Sequence, residues 1–264
     1  MKIRQALERA KLMRLEPGSR PARTVSSAPA PAEEPEWTPP VYSASRRLTL
    51  DIERLIANGC ACAAAAAPEL DHYKLLRTRI QQHCKGAGGK AIMVTSPRGG
   101  RAKTRTAVNL ALTFAKAFNQ TVMLVDCDLR QQAVHQIMGF ENPVGLADYF
   151  IDRRPFQELI VWPNIPQMTV VSGGRTVQNS AELIGSVRMK ALVEELKGRY
   201  RDRILIFDAA PVLEGADALS LSDLADGIIL VVEEGRTGMR EVKDALAILT
   251  PGKILGYVLH RQAP

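Results

Sequence analysis

Three observations predict an α/β fold with a mostly parallel sheet covered by helices on both faces. Near-continuous Val/Ile/Leu runs recur from about residue 90 onward, amphipathic stretches separate them, and two of the runs end in aspartate. Strands buried on both faces read as unbroken apolar runs, and the helices between them are the crossovers that parallel pairing requires. The strand segments are AIMVTS (91–96), TVMLVD (121–126), MTVVS (168–172), RILIFD (203–208), GIILVVEE (227–234) and ILGYVLH (254–260). Helical spacing falls on TAVNLALTFAKAF (106–118), AELIGSVRMKALVEELKGRY (181–200) and MREVKDALAIL (239–249). Ligands of such folds bind at the carboxyl ends of the strands, so chemistry is expected there.

Composition narrows the classes. At 264 residues and 46% hydrophobic content the chain can bury a sizeable core. No run approaches the roughly 20 apolar residues of a membrane-crossing helix. The opening MKIRQALERAKLMR has no apolar h-region, so a cytosolic chain without a signal peptide is expected. Four cysteines are too sparse for a disulfide framework, and Cys60-x-Cys62 lacks well-spaced partners for zinc. Residues 1–16 read as a basic amphipathic helix (Ile3, Leu7 and Ala10 at helical spacing), either a solvated terminus or a contact for a membrane surface or partner. Residues 17–48 read as a disordered Pro/Ala-rich linker, and 49–264 as the folded domain. The net charge of +7 is concentrated: residues 1–48 hold nine Lys/Arg against five Asp/Glu, and Arg98, Arg101, Lys103 and Arg105 form a cationic stretch without an acid. The remainder is near neutrality, so a nucleic-acid partner is not expected.

The first long strand runs into PRGGRAKTRTAVNLA (97–111), a glycine-containing loop that opens a helix. Backbone N–H groups of such a loop, with the helix N-terminus, cradle phosphate. Lys103 would then reach the terminal phosphates and the Thr104 hydroxyl a Mg²⁺ ion. Gly99, Gly100, Arg101, Ala102 and Arg105 complete the expected nucleotide-binding loop. The alternative is a Gly-Gly turn before a helix with a solvated lysine. Asp126, Asp128 and Asp208 stand at or just past strand ends, where buried carboxylates call for a nearby cation. Singly, each could equally be a helix N-cap.

Lys103-Thr104, Asp126-Cys-Asp128-Leu-Arg130 and Asp208-Ala-Ala-Pro211 together resemble the Walker A, A′ and B motifs of the bacterial tyrosine kinases (BY-kinases) of capsule and exopolysaccharide loci. The likeness covers roughly 70–262, and SAELIGSVRMKALVEELKGRYRDRILIFDAAPVLEGADAL (180–219) follows the same pattern. The resemblance implies a P-loop NTPase fold of the SIMIBI type, ATP and Mg²⁺ as cofactors, and a catalytic set of Lys103, Asp126, Asp128 and Asp208. Thr104, Asp126, Asp128 and Asp208 would serve the metal, Asp208 through water. It also implies a cytoplasmic chain at the inner face of the cell membrane beside a membrane-bound chain-length determinant, with self-association through Asp71, Lys74 and Arg77.

Departures from that pattern carry expectations of their own. Pro97 and Ala102 stand where the full phosphate-loop pattern has glycines, and a left-handed backbone at Ala102 would cost about 1–2 kcal/mol. Arg101 stands where the family has an acid, and His260 where related ATPases have an adenine-facing asparagine. The family implies a C-terminal tyrosine cluster, whereas the five tyrosines here are Tyr42, Tyr73, Tyr149, Tyr200 and Tyr257. Of these, Tyr200 and Tyr257 are expected to pack, leaving Tyr42 as the free acceptor. Two alternatives to an active kinase follow: a weak or inactive pseudokinase scaffold, and a ParA/MinD-type positioning ATPase with Arg98 as its signature cation.

Overall fold

The computed structural model describes residues 45–87, 89–117, 120–141, 143–199 and 202–261. The segment 1–16, most of 17–48, Tyr42 and Tyr200 lie outside the described residues. In chain order the elements are β1 (Arg46–Arg47), α1 (Ile52–Ala57), α2 (Pro68–Ala87), β2 (Ala91–Thr95), α3 (Ala102–Ala115), β3 (Thr121–Asp126), α4 (Val134–Met138), α5 (Leu146–Ile151), β4 (Val161–Trp162) and β5 (Met168–Val171). There follow α6 (Ser180–Ile184), α7 (Val187–Arg199), β6 (Arg203–Asp208), α8 (Asp217–Leu224), β7 (Gly227–Glu233), α9 (Met239–Ile248) and β8 (Ile254–His260).

The eight strands form one sheet in the order β1-β4-β5-β3-β6-β2-β7-β8, parallel throughout except for the β4–β5 pair. Every residue of β2, β3 and β6 is buried, as strands covered on both faces must be. Alternation along them feeds two cores. Met93, Met123, Leu205 and Phe207 pack with Leu192, Val193 and Leu196 of α7 and Leu221 of α8. Ile92, Val94, Leu124 and Ile206 face the opposite way, onto Val108, Leu110, Ala111 and Phe114 of α3.

Burial explains where the sequence pattern and the fold differ. Helix α3 starts four residues before the amphipathic run at 106, because everything in it except Arg105 is buried and periodicity fades in a fully enclosed helix. The expected helix over 181–200 is two helices. Gly185 closes α6, and Ser186 restarts the chain by accepting the Met189 N–H on its Oγ at 3.1 Å. The folded unit also takes in Arg46 and Arg47, ahead of position 49. They pair with Val161 and Trp162, the Arg47 guanidinium 4.6 Å from the Trp162 ring centre. Tyr257 does not pack as expected: β8 is the outermost strand, and Tyr257 and Leu259 project from it 58% and 57% exposed. No helix among the described residues is long and apolar enough to cross a membrane.

Candidate functional site

The site is built at the carboxyl ends of the central strands. Strand β2 ends at Thr95, whose hydroxyl donates to the Ala210 carbonyl at 2.7 Å, tying this loop to the one after β6. Ser96 Oγ donates to the Arg98 carbonyl at 2.7 Å and tightens the turn. The Gly99 N–H donates to Glu214 Oε1 at 2.6 Å, and Gly100 lies against the Glu233 carboxylate. A carboxylate from the segment after β6 therefore already sits on the Gly99 N–H, a donor of the kind a phosphate needs. Arg98 Nε holds Glu241 Oε1 at 2.9 Å.

Ala102 is the first residue of α3 and is buried. Among the described residues, only Arg153, Asn164 and Gln167 have positive φ without being glycine. The strain expected at Ala102 is therefore absent, because helical backbone accepts an alanine freely. Arg101 precedes the helix and turns outward, donating to Gln136 Oε1 at 3.2 Å.

Lys103 and Thr104 occupy the first turn of α3 and point into the sheet end. Lys103 Nζ lies 2.8 Å from Asp128 Oδ2 and 3.6 Å from Asp208 Oδ1. Thr104 Oγ1 donates to Asp208 Oδ2 at 2.6 Å. Asp126 and Asp208 are register partners on β3 and β6, so parallel pairing alone sets their carboxylates side by side. Asp126 is held by backbone: Oδ1 accepts from Asp128 N at 3.2 Å, and Oδ2 from Ala133 and Val134 N at 3.2 and 3.1 Å. It anchors the start of α4 as well as lining the site. Asp128 Oδ1 accepts the Gln131 N–H at 3.0 Å, closing the turn after β3.

Lys103 and the three aspartates are all at most 3% exposed, so one ammonium faces three carboxylates away from water. At Lys103, burial works against charge, but Asp208 and Asp128 outweigh it and push the ammonium pKa up. Asp126 is raised well above the carboxylate range, first by burial and then by Asp208. Burial likewise raises Asp208, while Lys103 and Thr104 pull in the other direction. Buried carboxylates in excess of their cation are the pattern that a bound divalent ion relieves.

These donors fit magnesium and phosphate. Asp128 Oδ2 and Asp208 Oδ1 are buried and lack a hydrogen-bond partner, facing only the Lys103 ammonium. Among the described residues, no three His, Cys, Asp or Glu side chains form a protein-only metal cage. Magnesium needs none: it keeps several waters and takes one or two carboxylates or hydroxyls beside substrate phosphates. Thr104, Asp128 and Asp208 would hold such an ion, which would supply positive charge to offset that of the phosphates.

An AAA-domain family profile matches residues 89–250. The chain is 33% identical over 210 residues to the tyrosine-protein kinase YwqD of Bacillus subtilis, covering 78% of this chain and 87% of that one. It belongs to the bacterial tyrosine-kinase family. The putative tyrosine-protein kinase CapB of Staphylococcus aureus is 28% identical over 174 residues, 65% of this chain and 75% of that one. Among solved structures, the chimerical protein CapA2B2 aligns with a TM-score of 0.69 at 25% identity, over 86% of this chain and 95% of that one. The cell division ATPase MinD of Pyrococcus furiosus shares the fold, at 21% identity and a TM-score of 0.54 over 65% of this chain. Nucleotide binding with a metal ion goes with this P-loop family.

As a bacterial tyrosine kinase family member, the chain brings Lys103, Thr104, Asp126, Asp128 and Asp208 into one site, with Gly99 and Gly100 at its lip. Other expected residues sit further out. Arg105 is half-buried beside Gly59, and with burial it lowers the pKa of His260, at the end of β8. On α2, Asp71 and Lys74 form an exposed pair at 2.9 Å, whereas Arg77 turns inward to donate to the Thr113 carbonyl of α3 at 2.8 Å. Sequence reasoning passed over Glu214 and Glu233. Glu214 lies in the short segment after Asp208 and Glu233 is the last residue of β7, and no motif marks either.

Proposed function

We propose that this chain is an ATP- and Mg²⁺-binding BY-kinase-like regulator of exopolysaccharide or capsule polymerisation and export. It acts from the cytoplasmic face of the membrane beside a membrane-bound chain-length partner. One observation carries the nucleotide half of this reading: Lys103, Thr104, Asp128 and Asp208 converge from three separate segments on one buried point beside a glycine loop. In that reading Lys103 binds the β- and γ-phosphates, and Thr104 with Asp128 serves the metal. Asp208 supports the metal through water, and Asp126 holds the A′ turn in place. Catalysis by such a site is positioning and charge neutralisation. The basic segment 1–16 supplies the partner or membrane-surface contact, and copies associate through the exposed Asp71–Lys74 face.

A second reading, a nucleotide-dependent scaffold without phosphoryl transfer, draws support from the tyrosines. Tyr73 is packed, its hydroxyl pushed up to about 12 by burial. Tyr149 is enclosed by Phe150, Phe156 and the Arg188 guanidinium. Tyr257 alone among the described tyrosines is prominently exposed. Calorimetry with Mg-ATP followed by phosphotyrosine detection separates the readings. The wild type is expected to bind Mg-ATP, and Lys103→Ala to lose at least a hundredfold in affinity. No binding by the wild type overturns both readings. Binding without phosphotyrosine leaves the scaffold.

A further inference from the structure

The carboxylate of Glu214 is an anion already seated on the phosphate loop. Its Oε1 accepts the Gly99 N–H at 2.6 Å, and both of its oxygens lie 3.2 Å from where a Cβ on Gly99 would stand. A side chain at position 99 would push it away, so the glycine is what permits this approach to the backbone. No lysine or arginine among the described residues forms an ion pair with Glu214, which leaves the Gly99 N–H as the partner of its carboxylate. Glu233 differs. It lies against Gly100, but its charge is met by Arg236 at 3.2 Å.

The backbone that carries this carboxylate is fixed from two sides. Val212 N–H donates to the Ser96 carbonyl at 2.9 Å and Leu213 N–H to the Pro97 carbonyl at 3.1 Å, lacing the Val212–Glu214 turn to the start of the phosphate loop. Arg130 Nη1 donates to the Glu214 carbonyl at 3.4 Å, while the charge of that guanidinium is met by Asp217 Oδ2 at 3.5 Å. The Glu214 side chain itself is exposed and tethered at its tip, so it can swing away without disturbing the fold. Gly99 lies four positions before Lys103, and Gln131 Oε1, from the turn that Asp128 closes, stands 3.6 Å from the same Cβ point. The Gly99 N–H is therefore on the side where Lys103 meets Asp128, which the nucleotide reading gives to the terminal phosphate and its metal. Two anions cannot share one N–H. A terminal phosphate must displace the carboxylate or meet it at contact distance, whereas a nucleotide one phosphate shorter leaves it in place.

We infer that Glu214 is a specificity residue of this site, an internal carboxylate that stands in for the terminal phosphate and biases the loop toward nucleoside diphosphate over triphosphate. This rests on the nucleotide reading above. The test is calorimetry on the full chain with Mg-ADP and Mg-ATP in parallel, and the readout is the ratio of the two dissociation constants. A merely structural loss at position 214 weakens both nucleotides alike and leaves that ratio where it was. Glu214→Gln keeps the length of the side chain and sheds its charge. It is expected to tighten Mg-ATP about fivefold and Mg-ADP by less than about twofold. Glu214→Lys, which turns a cation toward the same point, is expected to move the ratio further in the same direction. Glu195→Gln removes an exposed carboxylate from the last turns of α7, just ahead of the start of β6, and is expected to leave the ratio unchanged. An unchanged ratio in Glu214→Gln, or an equal shift in Glu195→Gln, overturns the inference and leaves the nucleotide reading intact. Failure of the wild type and the variants alike to bind either nucleotide overturns both.

Discussion

Two aspartates at opposite ends of the sheet solve the burial of a carboxylate differently. At the amino-terminal edge, Asp226 Oδ2 accepts the Lys90 and Ala91 N–H groups at 2.7 and 2.9 Å, and Oδ1 accepts Lys197 Nζ at 2.9 Å. Burial opposes its charge, yet the Ala91 N–H, Lys197 and the Lys90 N–H more than offset this and hold its pKa below the usual value. At the carboxyl end, Asp208 has the Thr104 hydroxyl and a Lys103 shared with Asp128, and burial keeps its pKa raised. One end of the sheet is electrostatically finished. The other is left short of positive charge, which is what a site for a metal ion requires.

That contrast can be broken from either side. The largest effect on folding is expected at the finished end. Asp226→Asn loses the charge-assisted bond to Lys197 and should cost about 1–3 kcal/mol, read as a drop of several degrees in Tm, with Mg-ATP affinity unchanged. A loss of affinity would show that the two ends are coupled. Asp208→Asn should behave in the opposite sense. Its folded pKa lies above the ordinary 3.8, so between those values the folded state keeps a proton that the unfolded chain has shed. The contribution of Asp208 to stability therefore falls as pH rises through that window. The variant's Tm advantage over wild type should be small near pH 4 and larger near pH 8, while stabilisation by Mg-ATP is lost. A variant less stable than wild type at every pH would mean that Asp208 is already satisfied. The smallest effect concerns the loop. Glu214→Gln weakens the competitor for the Gly99 N–H and should tighten Mg-ATP by about twofold to tenfold in calorimetry. Unchanged affinity would mean that the phosphate does not use that donor.

Much of this was legible in the residues themselves. The strands at 91–96, 121–126, 203–208 and 227–234 were readable because burial on both faces demands unbroken apolar runs. The lysine, threonine and aspartates could be assigned to strand ends and a helix start because those places follow directly from the pattern. Elements β1 and β4 left no trace, since two residues are too few for any period to show. Tyr257 was misread for a related reason. Its segment looks like an inner strand, but whether another strand or helix covers it is a property of sheet order.

Local sequence thus determined that a loop rich in glycine and cations meets strand-end carboxylates within a parallel sheet. It could not determine which carboxylates touch. Asp126 and Asp208 lie 82 positions apart and become neighbours only through β3–β6 pairing. The Glu214 carboxylate reaches Gly99 across 115 positions, and Gln131 comes against that loop only when the chain folds. Hydrophobic periodicity reports how each segment meets the core, and it carries no information on which polar groups long-range pairing will bring within a hydrogen bond of one another.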